Sequence, residues 1–308
     1  MKRKNLLPCL IFLFTAGSCI MLSQSLLTNG YSQDANGPAP SSPYRHIRQL
    51  TTGSADDLHA RWSPDAKMLA FDSWRSGELK IWLISADGGE GVMLTTGLSG
   101  DHHISWSPDG KCIAFDAAWE GRPNIFTISL DGGEPNRLSG DRTADFLPCW
   151  SPDGSRIAFT SFRSGNADIW IIPAEGGQPV QFTRNEATDR WPVWSPDGSM
   201  IVFVSDRSGN FDLWILPASG GEAKQLTFHE SHDDQPDWSP DGMRIAFMSK
   251  RSGKKDIWIT TVSGGEAVRF TKEAGNSRPA WSPDGKKIAY TSDRTGNSDI
   301  WVQDVKDD

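Results

Sequence analysis

Residues Val193–Thr227 read "VWSPDGSMIVFVSDRSGNFDLWILPASGGEAKQLT". Ser195-Pro196-Asp197-Gly198 is a turn, with Pro setting φ at its second position and Gly free to take positive φ at its fourth. "MIVFVS" (Met200–Ser205) is β-branched and aromatic, as a buried strand requires. "RSGN" is a second turn, "FDLWILP" a further strand, "SGG" a third turn and "AKQLT" a closing strand. Counting the strand that leads into Trp194, the unit is a meander of four short antiparallel strands, a to d.

The unit repeats along the chain. The tryptophan of "WSPD" stands at Trp62, Trp106, Trp150, Trp194, Trp238 and Trp281, at spacings of 44, 44, 44, 44 and 43. A Leu/Phe keeps step at Leu50, Leu94, Leu138, Phe182, Leu226 and Phe270, and an aromatic in strand c at Trp82, Phe126, Trp170, Trp214, Trp258 and Trp301. About 44 residues holding four strands is one blade of a β-propeller, whereas helical repeats of about 33–34 residues do not fit. The last unit ends at "SDIWVQDVKDD" (Ser298–Asp308) without a strand d, while "YRHIRQLT" (Tyr44–Thr51) is a strand d with no blade before it. The expected fold is all-β, a six-bladed β-propeller of four-stranded antiparallel blades. The N-terminal strand pairs into the last blade and removes two edges open to aggregation.

The pattern WSPDG, IAF, S.R.GN.DIW, GGE, LT resembles the PD40 (WD40-like) repeat of TolB-like propellers, and the resemblance covers Tyr44 to Asp308. It implies an exported bacterial protein. In that family the propeller follows an α/β domain and docks a peptidoglycan-associated lipoprotein; here the 16 residues Thr28–Pro43 stand in that domain's place. Similar blades gate prolyl-oligopeptidase-like peptidases, but the chain contains no Gly-x-Ser-x-Gly. Related propellers are oligogalacturonate lyases with metal-bound histidine clusters. The resemblance is specific for fold and much less so for function.

Residues 1–27 combine Lys2, Arg3 and Lys4 with an apolar run and read as an export signal. Simple cleavage is the first expectation, a lipoprotein signal at Cys19 the second, and an uncleaved anchor the third. Residues 28–43 form a polar, Pro-rich linker and 44–308 the propeller. A formal charge of −8 argues against nucleic acid or anionic membranes as partners; membrane contact is expected only through the N-terminal segment. Only Cys112 and Cys149 lie beyond the signal, too few for a disulfide framework, and are expected to be buried thiols.

In such a meander the a–b and c–d turns share one face. These are the near-identical SPDG and Gly-Gly turns, read as scaffold, with Ala66 replacing glycine in blade 1. Blade-specific residues gather on the other face, formed by the d–a and b–c loops, together with five of the six histidines. The candidate binding residues are Asp101, His102, His103, Trp119, Asp145, Phe146, Arg190 and Trp191. A carboxylate ring (Asp57, Asp101, Asp145, Asp189, Asp233, then Asn276) has two readings. One is a Ca²⁺ site; the other, favoured by the count, pairs it with Arg75, Arg163, Arg207, Arg251 and Arg294. Trp119 replaces that arginine in blade 2, leaving Asp101 or Asp145 without its repeated partner, so that any ligand site is expected over blades 2 and 3. His229, His232, Asp233 and Asp234 form a candidate metal set, while the adjacent His102 and His103 are not expected to reach one ion together. The simplest expectation is no cofactor, with a divalent cation such as Ca²⁺ or Mn²⁺ as the alternative. No catalytic residue is assigned. The functional expectation is a monomeric, non-catalytic propeller that binds a protein or peptide in the cell envelope. The alternative is a metal-dependent, carbohydrate-active enzyme of the oligogalacturonate-lyase kind using the histidine-rich loops.

Overall fold

The structure, a computed structural model, describes residues 46–140 and 143–306; the expected export signal and linker lie outside them. The chain divides at Ser42/Pro43 into two units. The unit Pro43–Asp308 forms six four-stranded antiparallel sheets, each one blade of a propeller. In blade 4 the strands are Asp189–Trp194, Met200–Ser205, Asp212–Pro217 and Lys224–Gln225, in sequence order across the sheet. No helix among the described residues is long and apolar enough to cross a membrane.

The ring closes as the repeat phase requires. The strand Ile47–Gln49 pairs antiparallel with Asp299–Asp304 in the register Ile47↔Gln303, Arg48↔Val302, Gln49↔Trp301. The Thr51 hydroxyl accepts the Ile300 N–H at 2.9 Å, and Leu50 N–H donates to Ile300 O at 2.8 Å. The last sheet is therefore completed from the other end of the chain.

The hydrophobic core lies between blades. Leu69, Phe71 and Ile84 of blade 1 meet Ala280, Ala289, Ile300 and Val302 of blade 6, with Leu50 among them. Strand b carries the largest share, and Phe71, Phe115, Phe159, Phe203, Phe247 and Tyr290 are fully buried at one repeated position. Three of the "WSPD" tryptophans tie neighbouring inner strands together: Trp62 Nε1 donates to Ala280 O at 3.2 Å, Trp106 Nε1 to Arg61 O at 3.0 Å and Trp238 Nε1 to Val193 O at 3.1 Å.

The SPDG turns are scaffold. Ser195 Oγ donates to Asp197 Oδ1 at 2.6 Å and accepts the Met200 N–H at 2.9 Å, and hydrogen bonds from Ser195 Oγ and from the N–H and hydroxyl of Ser199 hold the exposed Asp197 carboxyl down at about 2. The turn glycine is required twice over. Gly198 has φ 71°, and a Cβ there would stand 3.1 Å from Pro152 of the preceding blade. Ala66 keeps the same positive φ, 60°, without glycine's freedom. Both described cysteines are free and only partly buried, rather than fully enclosed. Cys149 lines the central cavity, and burial pushes its thiol up to about 11.

Candidate functional site

In blades 1, 3, 4 and 5 the Asp begins strand a beside its own b–c turn, and the pairing is within blades. Arg75 meets Asp57 at 2.6 Å, Arg163 meets Asp145 at 2.9 Å, Arg207 meets Asp189 at 2.7 Å and Arg251 meets Asp233 at 2.6 Å. Arg294 Nη2 donates to Asn276 Oδ1 at 3.4 Å. Each guanidinium also lies over aromatic rings, as Arg207 does over Phe203 and Trp214 at 5.3 and 4.9 Å. In blades 1, 3, 4 and 5 these carboxylates serve as counter-ions of their blades' arginines.

Blade 2 departs from the pattern as its sequence says. Trp119 turns outward and stacks under Arg137 at 5.0 Å, and Lys80 of blade 1 approaches Asp101 at 3.8 Å instead. Asp101 is fully buried, and burial raises its carboxyl pKa against Lys80's pull. The carboxylate that lacks its repeated arginine is thus Asp101, and it lies beneath the surface rather than open at a channel mouth.

The residues that do face one another sit two positions further along strand a. There every blade carries a β-bulge with a non-glycine residue at positive φ: His59 (50°), His103 (49°), Leu147 (58°), Trp191 (55°), Gln235 (57°) and Arg278 (57°). A bulge adds a residue to one strand and re-aims its side chain. In blade 2 it breaks the alternation that would send His102 and His103 to opposite sides of the strand. Their ring centroids are 3.9 Å apart, and His59 of blade 1 stands 4.3 Å from His102 and 4.5 Å from His103. The expectation that adjacent histidines would not converge is corrected by this bulge.

Two buried carboxylates hold the rings. His59 Nδ1 lies 3.0 Å from Asp72 Oδ2, His102 Nδ1 bonds to the same oxygen, and His103 Nδ1 lies 2.9 Å from Asp116 Oδ1. Burial opposes ionisation of Asp72, but the charges of His59 and His102 outweigh it and hold this carboxyl well below the usual range. Burial likewise lowers His59 and His103, whereas Asp72 more than offsets burial at His102 and raises it. Asp116 is pushed up to about 8 by burial, despite His102 and the Leu147 N–H that it accepts at 2.9 Å.

His59, His103 and Trp191 border a central cavity of about 340 Å³ that runs along the inner strands to the turn prolines Pro64, Pro152, Pro196, Pro240 and Pro283. Trp191 lies 6.0 Å from His59 and 5.3 Å from His103. The other candidates from the sequence lie elsewhere. Asp145 is buried against Arg163, and Phe146 packs edge-on to Phe162 at 5.9 Å. Arg190 reaches blade 5, bonding Asp234 at 2.7 Å over Phe211. The set His229, His232, Asp233 and Asp234 is not gathered. Asp233 and Asp234 are taken by Arg251 and Arg190, His229 Nδ1 accepts the Ser231 N–H, and His232 stands edge-on to Phe211. Among the described residues, ligand atoms of three such groups converge only at His59, His102 and His103, within 4.8 Å of one another. The sequence places His59 and Arg278 in the right loops but carries no signal for the bulge that aims them.

On the outer rim of the same face, Trp74 is 50% exposed, Trp119 42%, Phe162 48% and Phe228 74%. Trp119 ends strand b of blade 2, and Trp74 and Phe162 directly follow strand b of blades 1 and 3, so that the three form an arc over consecutive blades.

Residues 46–145 and 230–308 match the TolB β-propeller domain (PD40), and residues 165–255 match the N-terminal β-propeller domain of Tricorn protease. No curated protein matches. Among solved structures, TolB from Acinetobacter baumannii is 26% identical with a TM-score of 0.68, over 76% of this chain and 59% of that one. The chain thus spans less than two thirds of that protein. The putative TolB from Agrobacterium tumefaciens is 22% identical with a TM-score of 0.69, over 85% of this chain and 97% of that one. An oligogalacturonate lyase from Vibrio parahaemolyticus is 15% identical with a TM-score of 0.60, over 87% and 95%. These last two likenesses are of fold alone.

Proposed function

The chain belongs to the TolB β-propeller (PD40) family, and from that premise we propose that it is an exported, non-catalytic propeller that docks a protein or peptide in the cell envelope. The observation that supports this reading is the arc Trp74, Trp119 and Phe162, three exposed aromatic side chains on consecutive blades of one face. Large aromatics gain most when a partner removes them from water, and they are enriched at the energetic centres of interfaces. Arg137 over Trp119 and Phe146 beside Phe162 hold two of the rings in place, which lowers the entropy lost on docking. The near-identical turn face offers no such blade-specific surface. On this reading Asp101 and Asp145 support the loops from below and make no contact with the partner.

A photo-crosslinking residue at position 119 or 162, with the protein expressed in a native envelope, tests the proposal. The expected result is one discrete adduct from both positions and none from Met243, an exposed residue of the a–b turn face. Equal labelling from Met243, or none from the arc, refutes it. The alternative, a lyase acting through the histidines, predicts turnover of oligogalacturonate with added Mn²⁺ that is lost in His103→Ala; its likeness to this chain is one of fold alone.

A further inference from the structure

We propose that His59, His102 and His103 form a binding site for a divalent metal ion of the Zn²⁺ or Co²⁺ type, held in the inner wall of the propeller between blades 1 and 2. Such a site is independent of whether the loop face docks a partner. One ring atom from each histidine lies within 4.8 Å of the others, although His59 and His102 are 43 residues apart. Three nitrogens on a tetrahedral Zn²⁺ at about 2.1 Å stand roughly 3.4 Å apart, so side-chain rotation closes the set without moving backbone.

The rings are also held as ligands are. The Nδ1 atom of each is engaged by a buried carboxylate, Asp72 for His59 and His102 and Asp116 for His103. A carboxylate on one imidazole nitrogen orients the ring and makes the other a better donor, which is the usual outer support of a metal-ligating histidine. The free nitrogen is then Nε2. That of His59 is buried with no hydrogen-bond partner, an expensive condition for a polar atom that ligation would relieve.

The donor set also chooses the metal. Three imidazoles suit Zn²⁺, Co²⁺, Ni²⁺ or Cu²⁺, whereas Ca²⁺ and Mg²⁺ need six or more oxygens or several waters. His59 and His103 border the central cavity, so a fourth position there is open to a small ligand. The positive groups nearby are Arg278 and Arg61, both of which act on His103. The Asp72 carboxylate attracts Arg278 and offsets part of this positive charge.

The test uses tag-free protein stripped with EDTA and titrated with ZnCl₂, CoCl₂ and CaCl₂ by calorimetry. One equivalent of Zn²⁺ or Co²⁺ and no Ca²⁺ is expected. His59→Gln and His103→Gln should each weaken Zn²⁺ binding at least 100-fold, and Asp72→Asn about 10- to 100-fold. The double variant His229→Gln/His232→Gln should bind as the parent does. The cobalt spectrum of the parent protein answers even where a variant fails to fold: intense visible bands of a four-coordinate site support the proposal, and the weak spectrum of aquated Co²⁺ overturns it. Binding that survives in a folded His59→Gln/His103→Gln variant, or is lost in the His229/His232 variant, overturns it too.

Discussion

Replacing Leu50 by alanine tests whether the N-terminal strand holds the ring shut. Leu50 is 6% exposed and packs among Leu69, Phe71 and Ile84 of blade 1 and Ile300 and Val302 of blade 6. Its backbone N–H is tied to Ile300 O at 2.8 Å, so the side chain is not free to follow a collapse of the site. Truncating a buried leucine costs about 2–5 kcal/mol, depending on how far the surroundings relax. An outer strand relaxes more than an inner one, which places Leu50→Ala at about 2–3 kcal/mol, or roughly 5–10 °C in Tm for a domain of this size. Urea unfolding followed by tryptophan fluorescence measures it. Leu226→Ala is the control, since Leu226 is equally buried in a blade whose fourth strand is continuous with its third. If Leu226→Ala loses its 2–3 kcal/mol while Leu50→Ala stays within about 0.5 kcal/mol of the parent, the strand does not carry closure and the reasoning fails. Deleting residues 46–51 should go further, opening blade 6 to aggregation.

Asp189→Asn leaves Arg207 facing an amide and should cost about 1–3 kcal/mol. Burial raises this carboxyl's pKa despite Arg207, so the low end is expected, and a variant more stable than the parent in urea would contradict the pairing. Ala66→Gly should stabilise by about 0.5–1 kcal/mol, because glycine relieves the φ of 60° while adding freedom to the unfolded chain; a lower Tm would refute this. Asp237 accepts the Trp281 N–H at 2.7 Å, and burial pushes its carboxyl up to about 6 from 3.8. The folded state therefore holds the proton more tightly, and stability falls as pH rises from about 4 through 6. Asp237→Asn should gain up to about 3 kcal/mol at pH 7.5, since the shift already contains Arg61's attraction, and nothing below pH 4. A gain that is the same at both pH values would show that charge is not its cause.

The candidate site was only half legible. His59, His102, His103, Trp191 and Arg278 all appear in the loops that the repeat phase assigns to one face, and the Trp119 substitution correctly marked blade 2 as exceptional. The phase did not show that Asp101 would be covered by Lys80, or that Arg190 would cross to Asp234. Both contacts join neighbouring blades, at distances in sequence that no local pattern encodes.

By itself the sequence determined the blades, their number, the turn chemistry and the offset that joins the N-terminal strand, Ile47–Gln49, to the last blade. Each of these is written in short-range terms: alternation in a strand, Pro and Gly in a turn, and a period of 44 that repeats the same burial six times. Only the tertiary structure decided what the inner strands present to the centre. The bulged residue there has positive φ in every blade, yet no blade uses glycine for it, so the usual sequence marker is missing at His59, His103, Leu147, Trp191, Gln235 and Arg278. Side chains at that position meet because closing the ring brings six strands to one axis, and a distance across an axis is a property of the closed ring, not of any one blade.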